Sequence, residues 1–283
     1  MSDGSSRSLT GTQRSDDQED QTQRNADSQK NGDNQDRNDS RDDGQDRQDH
    51  QDQNNQQHEV DTFATLLSPT NNSGVHGVAV VTLDQQGKVT VDLAATGLTP
   101  GEEHPSHIHG FDTSNDFRFD TSNGEAPQTS EEPTLAFDKD VDGFVEDHEA
   151  EQAIGPVILS LTKDGRITDA ELRANFPEAD QNGTLQLHQS YRFDLSDPKE
   201  REIFDQLKDH VDGRAVQLHG LEVQDGHGEG TKGEVDGTGG YKETLPAAVG
   251  ILHEVPQHHD VNINVTLAGV ESAINGNSDF LFS

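Results

Sequence analysis

Apolar residues are almost absent from the first 58 positions and recur in short, evenly spaced bursts after them. Residues 1–58 consist mainly of Asp, Gln, Asn, Arg, Ser and Gly. A segment so poor in apolar side chains cannot offset its conformational entropy by burial, so a disordered tail is predicted. The cluster Val60, Phe63, Leu66 and Leu67 opens a folded part over residues 59–257. Within it, 73–83 and 88–93 read as strands joined by the turn Asp84-Gln85-Gln86-Gly87, a hairpin signal. Gly97-Leu98-Thr99-Pro100-Gly101 turns the chain toward a short strand around Ile108. Further strands are predicted at 155–162, 184–195, 213–220 and 243–255. One helix is predicted behind Asp197-Pro198, with Glu200 as a capping-box acid and Ile203, Phe204, Leu207 and Val211 as its apolar stripe. A polar insertion covers 112–154, and a Gly-rich acidic loop runs from Val223 to Gly240. Residues 258–283 form an extension with one weak strand at 261–267 and no further assignment. The pattern is that of an all-β fold with one short helix.

Two stretches carry candidate chemistry. In His107-Ile108-His109 the strand period of two places both imidazoles on one face and Ile108 on the other, toward a core. In Arg214-Ala215-Val216-Gln217-Leu218-His219 the same alternation sends Val216 and Leu218 inward and Ala215, Gln217 and His219 outward. The converging pair His107 and His109 is half of a transition-metal site, since neutral imidazole suits Cu, Zn, Fe and Ni, and His219 has the same outward disposition. A polar strand face that happens to carry histidines is the alternative. The second stretch is Asp138-Lys139-Asp140-Val141-Asp142-Gly143-Phe144-Val145-Glu146-Asp147-His148-Glu149. Acidic oxygens at loop positions 1, 3, 5, 9 and 12 with Gly at 6 follow the calcium loop of an EF-hand. Asp138, Asp140, Asp142 and Glu149 are the expected direct ligands. Phe144 would add its carbonyl, and Glu146 would ligate directly or through water. The alternative is an acidic surface loop. No amphipathic helix precedes Asp138, so the loop reads as a structural clip and not as a sensor that opens a groove.

Composition narrows the function classes. The chain has 283 residues, a formal net charge of −35, no Cys and no Trp. The acid excess runs through the folded part as well as the tail. Such self-repulsion is relieved by salt, which suggests a halophilic source. No basic stripe is present to displace counterions from phosphate, so nucleic acid is not an expected partner. Without Cys, disulfides, thiolate chemistry and Cys-based zinc sites are excluded. No apolar run reaches the ~18 residues a membrane span needs. No export signal is visible at the N-terminus, which points to the cytoplasm.

Four blocks in order resemble the copper/zinc superoxide dismutases and their noncatalytic relatives, the chordin-type (CHRD) domains. They are Gly97–Gly101 with His107-Ile108-His109; 155–162 with Lys163-Asp164-Gly165; Gly213–His219; and 239–252 with Leu245-Pro246-Ala247-Ala248-Val249-Gly250. The resemblance covers roughly residues 60–256. It implies a Greek-key β-barrel with metal on its outer wall, with His107, His109 and His219 as copper ligands. It also suggests the cell exterior. The departures matter. Between Gly110 and Pro156 the single histidine is His148, inside the calcium loop, so the bridging histidine and the zinc ligands of the enzymes are unmatched. Leu245-Pro246-Ala247 stands where the enzymes carry a superoxide-guiding arginine. The expectation is therefore a noncatalytic, calcium-stabilised metal-binding barrel with no firm catalytic residue. A copper-dependent superoxide dismutase lacking the zinc site is the alternative.

Overall fold

A computed structural model describes residues 60–111, 129–167, 175–256, 265–266 and 268–270. The tail predicted over residues 1–58 and most of the 258–283 extension lie outside the described residues. A mostly antiparallel β-sheet, curled into a half-barrel with a few short helices, makes up the fold. Its strands are β1 (Val60–Pro69), β2 (His76–Asp84), β3 (Lys88–Thr96), β4 (Ser106–His109), β5 (Val157–Ser160), β6 (Thr184–Arg192), β7 (Ala215–Val223), β8 (Gly240–Ile251) and β9 (His253–Glu254). Helix α1 (Asp147–Ile154) lies between β4 and β5 in sequence, and α2 (Pro198–Lys208) between β6 and β7. The order across the sheet is β5-β4-β7-β8-β1-β2-β3-β6, with β9 added beside β1.

The predicted hairpin is β2–β3, in register from His76↔Thr96 to Leu83↔Val89. Its turn is set by Asp84, whose carboxylate accepts from the Gln86 and Lys88 amides at 2.9 and 2.8 Å. Strand β1 serves both halves of the sheet. Val60 to Leu67 pair with β2, whereas Ser68 and Pro69 pair with Val249 and Ala248 of β8. The sheet therefore bends at β1, and alternate residues of both halves meet in one core that includes Leu67, Val81, Val91, Ile108, Leu159, Val216 and Leu218. The end strands β5 and β6 do not pair with each other. Tyr191 of β6 reaches across by donating its hydroxyl to the Thr162 carbonyl at 3.1 Å.

Helix α2 begins as its sequence dictates. The Asp197 side chain accepts from the Lys199 and Glu200 amides, Pro198 takes the first turn, and Ile203, Phe204 and Leu207 are buried. One detail differs from the expected capping box. The Glu200 carboxylate accepts from the Asp194 amide at 2.7 Å and so fastens the preceding loop. The strand expected over 243–255 starts earlier, at Gly240, and breaks at Leu252, whose amide bonds the Arg214 carbonyl.

Candidate metal centre

Strand β4 lies between β5 and β7, with His107 opposite Gln217 and His109 opposite Ala215. Ile108 is fully buried in the main core, so the pleat sends both imidazoles to the opposite face, as the alternation predicts. The ladder continues where the His219 amide donates to the Pro105 carbonyl at 2.8 Å. This brings the third imidazole beside the other two. The Nδ1 or Nε2 atoms offered by His107, His109 and His219 all lie within 4.8 Å of one another.

The cluster faces away from the core but not into solvent. His107 is 9 % exposed, and His109 and His219 are each 2 % exposed. Phe176 stands edge-on to the His107 ring at 5.3 Å. Ala153 and Ile154 of α1 pack on Ala215 and Val249 beside the cluster. An outer wall predicted from strand alternation is thus overlaid by a helix that the alternation could not report.

Hydrogen bonding selects the ring nitrogens. His109 Nδ1 bonds the Gly155 carbonyl at 3.0 Å, and His219 Nδ1 bonds the Thr244 carbonyl at 2.7 Å. A carbonyl only accepts, so both Nδ1 atoms carry the proton and both Nε2 atoms present a lone pair. His219 Nε2 lies 3.2 Å from His107 Nδ1, which donates to it in the metal-free chain. His109 Nε2 is buried with no hydrogen-bond partner. Burial first, then the neighbouring His219 and His109, hold the His107 pKa well below 6.5. Burial and His219 lower His109 to about 4, against the opposing pull of its Gly155 bond and of Asp147. At neutral pH these two rings are uncharged, the state in which imidazole ligates a cation. The donor set therefore fits a transition metal, and the orphaned His109 nitrogen is the group such an ion would satisfy. His104, in the same motif, stays outside the cluster. Its nitrogens bond the His219 and Thr99 carbonyls at 2.8 and 3.0 Å, tying the preceding turn to β7.

The acidic loop forms a second cluster of potential metal ligands. Carboxylate oxygens of Asp138, Asp140 and Glu149 lie within 4.8 Å of one another. Gly143, at loop position 6, adopts φ 93°, the left-handed turn that the pattern requires. Asp138 accepts from the Val141, Asp142 and Gly143 amides, which curls the loop around it. Glu149 accepts from the Lys139 amide at 2.7 Å and the Glu146 amide at 3.0 Å, closing the loop onto the first turn of α1. Asp142 bonds the Phe144 amide at 2.7 Å through one oxygen, while the other is buried without a partner. Desolvation raises its pKa to about 6; Asp140, Glu146 and Asp138 add to the rise and the Phe144 amide opposes it. The Phe144 ring packs beside His227 and on the cluster of Val223, Val235 and Leu245. Glu146 also has partners outside the ligand cluster. Its carboxylate accepts from the Val235 amide at 2.7 Å and lies 3.6 Å from His148, so it anchors the Gly-rich loop.

Several contributing groups carry no motif in the sequence. Asn71, at φ 52°, accepts from the Val145 amide at 2.7 Å and donates to the Val145 and Pro246 carbonyls. It thereby pins the acidic loop to β8. Gly155 and Thr244 orient imidazoles through backbone carbonyls, which no side-chain pattern reveals. Asp147 lies 3.8 Å from His219 Nδ1. Gln217 shares the outward face of β7 with Ala215 and His219, as strand alternation predicts.

Among the described residues no helix is long and apolar enough to cross a membrane. No protein-family model matches the chain, and no curated relative matches it. Among solved structures, one described as the clock protein EA4 aligns at 19 % identity over 68 % of this chain and 93 % of its own. Its TM-score is 0.31, too low to carry an argument about fold or function.

Proposed function

We propose that this chain is a noncatalytic copper-binding β-domain of the superoxide dismutase-like or CHRD type, clipped by calcium at the 138–149 loop. The observation that carries the reading is the buried His109 Nε2, stripped of any partner while its Nδ1 is fixed by the Gly155 carbonyl. Three imidazoles without thiolate or carboxylate ligands favour copper among the divalent first-row metals, which follow an affinity order peaking at Cu²⁺. The Gly155 and Thr244 carbonyls orient the rings and raise their basicity toward a metal. Calcium would be held by Asp138, Asp140 and Glu149 and would lock the loop to α1, the helix that covers the imidazoles. Dismutation is the weaker reading, because an anionic substrate would approach a buried site with the Asp147 carboxylate 3.8 Å from His219.

Metal analysis of the full chain, loaded with copper and calcium and then passed through a desalting column, tests the reading. One copper per chain is expected, lost in His219→Ala, with no superoxide-consuming activity above free protein background. A chain that retains no copper at micromolar concentration overturns copper binding. Robust dismutation overturns the noncatalytic part.

A further inference from the structure

Gln217 is fully buried, and neither its carboxamide oxygen nor its nitrogen has a hydrogen-bond partner. Both ends of a carboxamide left unpaired in a protein interior are a large cost, and such a group calls for a ligand. Its place in the sheet says which ligand. Directly opposite residues of an antiparallel pair share a face and stand ~5 Å apart at Cβ, and Gln217 is opposite His107. It lies two residues before His219 on the same strand, and diagonally across from His109. Gln217 thus stands on the imidazoles' side of the sheet, between His107 on β4 and Val249 on β8. Ser160 is also buried with an unpartnered hydroxyl, and it flanks His107 from β5. That hydroxyl neighbours one imidazole row only and is a poor neutral donor, whereas a carboxamide oxygen ligates without losing a proton.

We infer that the Gln217 side-chain oxygen is the fourth donor to the copper ion held by His107, His109 and His219, and that it closes the site. The inference rests on the copper reading above. It also gives that reading a reason. In blue-copper sites a weak, long axial ligand, Gln oxygen among them, completes a His2Cys set and tunes the metal. In this chain, which has no Cys, the same kind of oxygen would complete three imidazoles and leave no position open for substrate. The site then binds copper for retention or electron exchange, and not for turnover of a coordinated ligand.

The test uses the full chain loaded with copper(II). Chelator competition gives the affinity, and electron paramagnetic resonance gives the ligand field. Gln217→Leu should weaken copper at least tenfold and change the hyperfine splitting, while the metal-free protein melts no lower than the unaltered one. Gln217→Glu, which keeps an oxygen at the same reach, should retain tight binding. Azide added to the unaltered copper protein should produce no new charge-transfer band. Unchanged affinity and spectrum in Gln217→Leu, or an azide band in the unaltered protein, overturns the inference. If the unaltered chain holds no copper, or His219→Ala holds as much, the three-histidine reading falls and this inference with it. If that reading stands and Gln217→Leu behaves as the unaltered chain does, only the fourth donor is refuted.

Discussion

Replacing His109 with leucine should remove a large part of the acid sensitivity of the metal-free protein. The reasoning starts from the His109 pKa, held at about 4 by burial against an ordinary value of 6.5. Below the ordinary value the unfolded chain takes up a proton that the folded chain refuses. Stability therefore rises with pH across the window from about 4 to 6.5 and is lost as pH falls through it. Integrating that linkage from about pH 7 to about pH 5 gives a loss of about 2 kcal/mol from this one ring. For a domain of this size that is a drop in melting temperature of about 4–8 °C. His107 is depressed by the same burial and adds to the slope. Carboxylates also titrate as pH falls, so the informative quantity is the difference between the two proteins. Thermal melts of the chelated chain and of His109→Leu, at fixed salt and several pH values, provide it. The variant should show the shallower pH dependence by about 2 kcal/mol, and copper should protect the unaltered chain across the same window. Parallel pH profiles for the two proteins would refute the argument that His109 is buried and neutral.

Three further expectations concern the acidic loop and the helix over the site. Asp140 is exposed, with its carboxylate among the converging loop oxygens, so Asp140→Ala should leave the chelated protein's melting unchanged and abolish the rise that calcium produces. At a hundredfold excess over the dissociation constant that rise corresponds to about 2.7 kcal/mol. An equal calcium-induced rise in the variant would reject the clip. Glu149→Ala should lower melting even in chelator, because its carboxylate also holds the Lys139 and Glu146 amides. Gly155→Ala should destabilise by about 3 kcal/mol or more. Its backbone at φ 85°, ψ 174° is glycine territory, and an added Cβ would lie 2.4 Å from the Gly110 carbonyl carbon. The same change displaces the carbonyl that orients His109, so copper affinity should fall with stability; a variant stable and copper-competent would contradict the packing.

The local rules of the chain were legible before any fold was known. Period-two alternation placed His107 and His109 together and put Gln217 and His219 on a common outward face, because a strand leaves its side chains no other choice. Asp197-Pro198 marked the start of α2, and the spacing of acids with Gly143 marked the curl of the 138–149 loop, since both depend on neighbours in sequence. What surrounds those groups was not legible. Alternation says that an imidazole leaves the core but not whether a helix lies over it, and α1 comes from a segment nearly forty residues beyond β4. The ring tautomers follow from the carbonyls of Gly155 and Thr244, which every residue possesses and no motif announces. Glu146 matched a calcium position by spacing, and its carboxylate also accepts from the Val235 amide of another loop, a partner that spacing could not report. Sequence thus determined which faces and turns were available, through backbone geometry. Tertiary packing alone decided which polar atoms were stripped of water, and so where a metal would be bound.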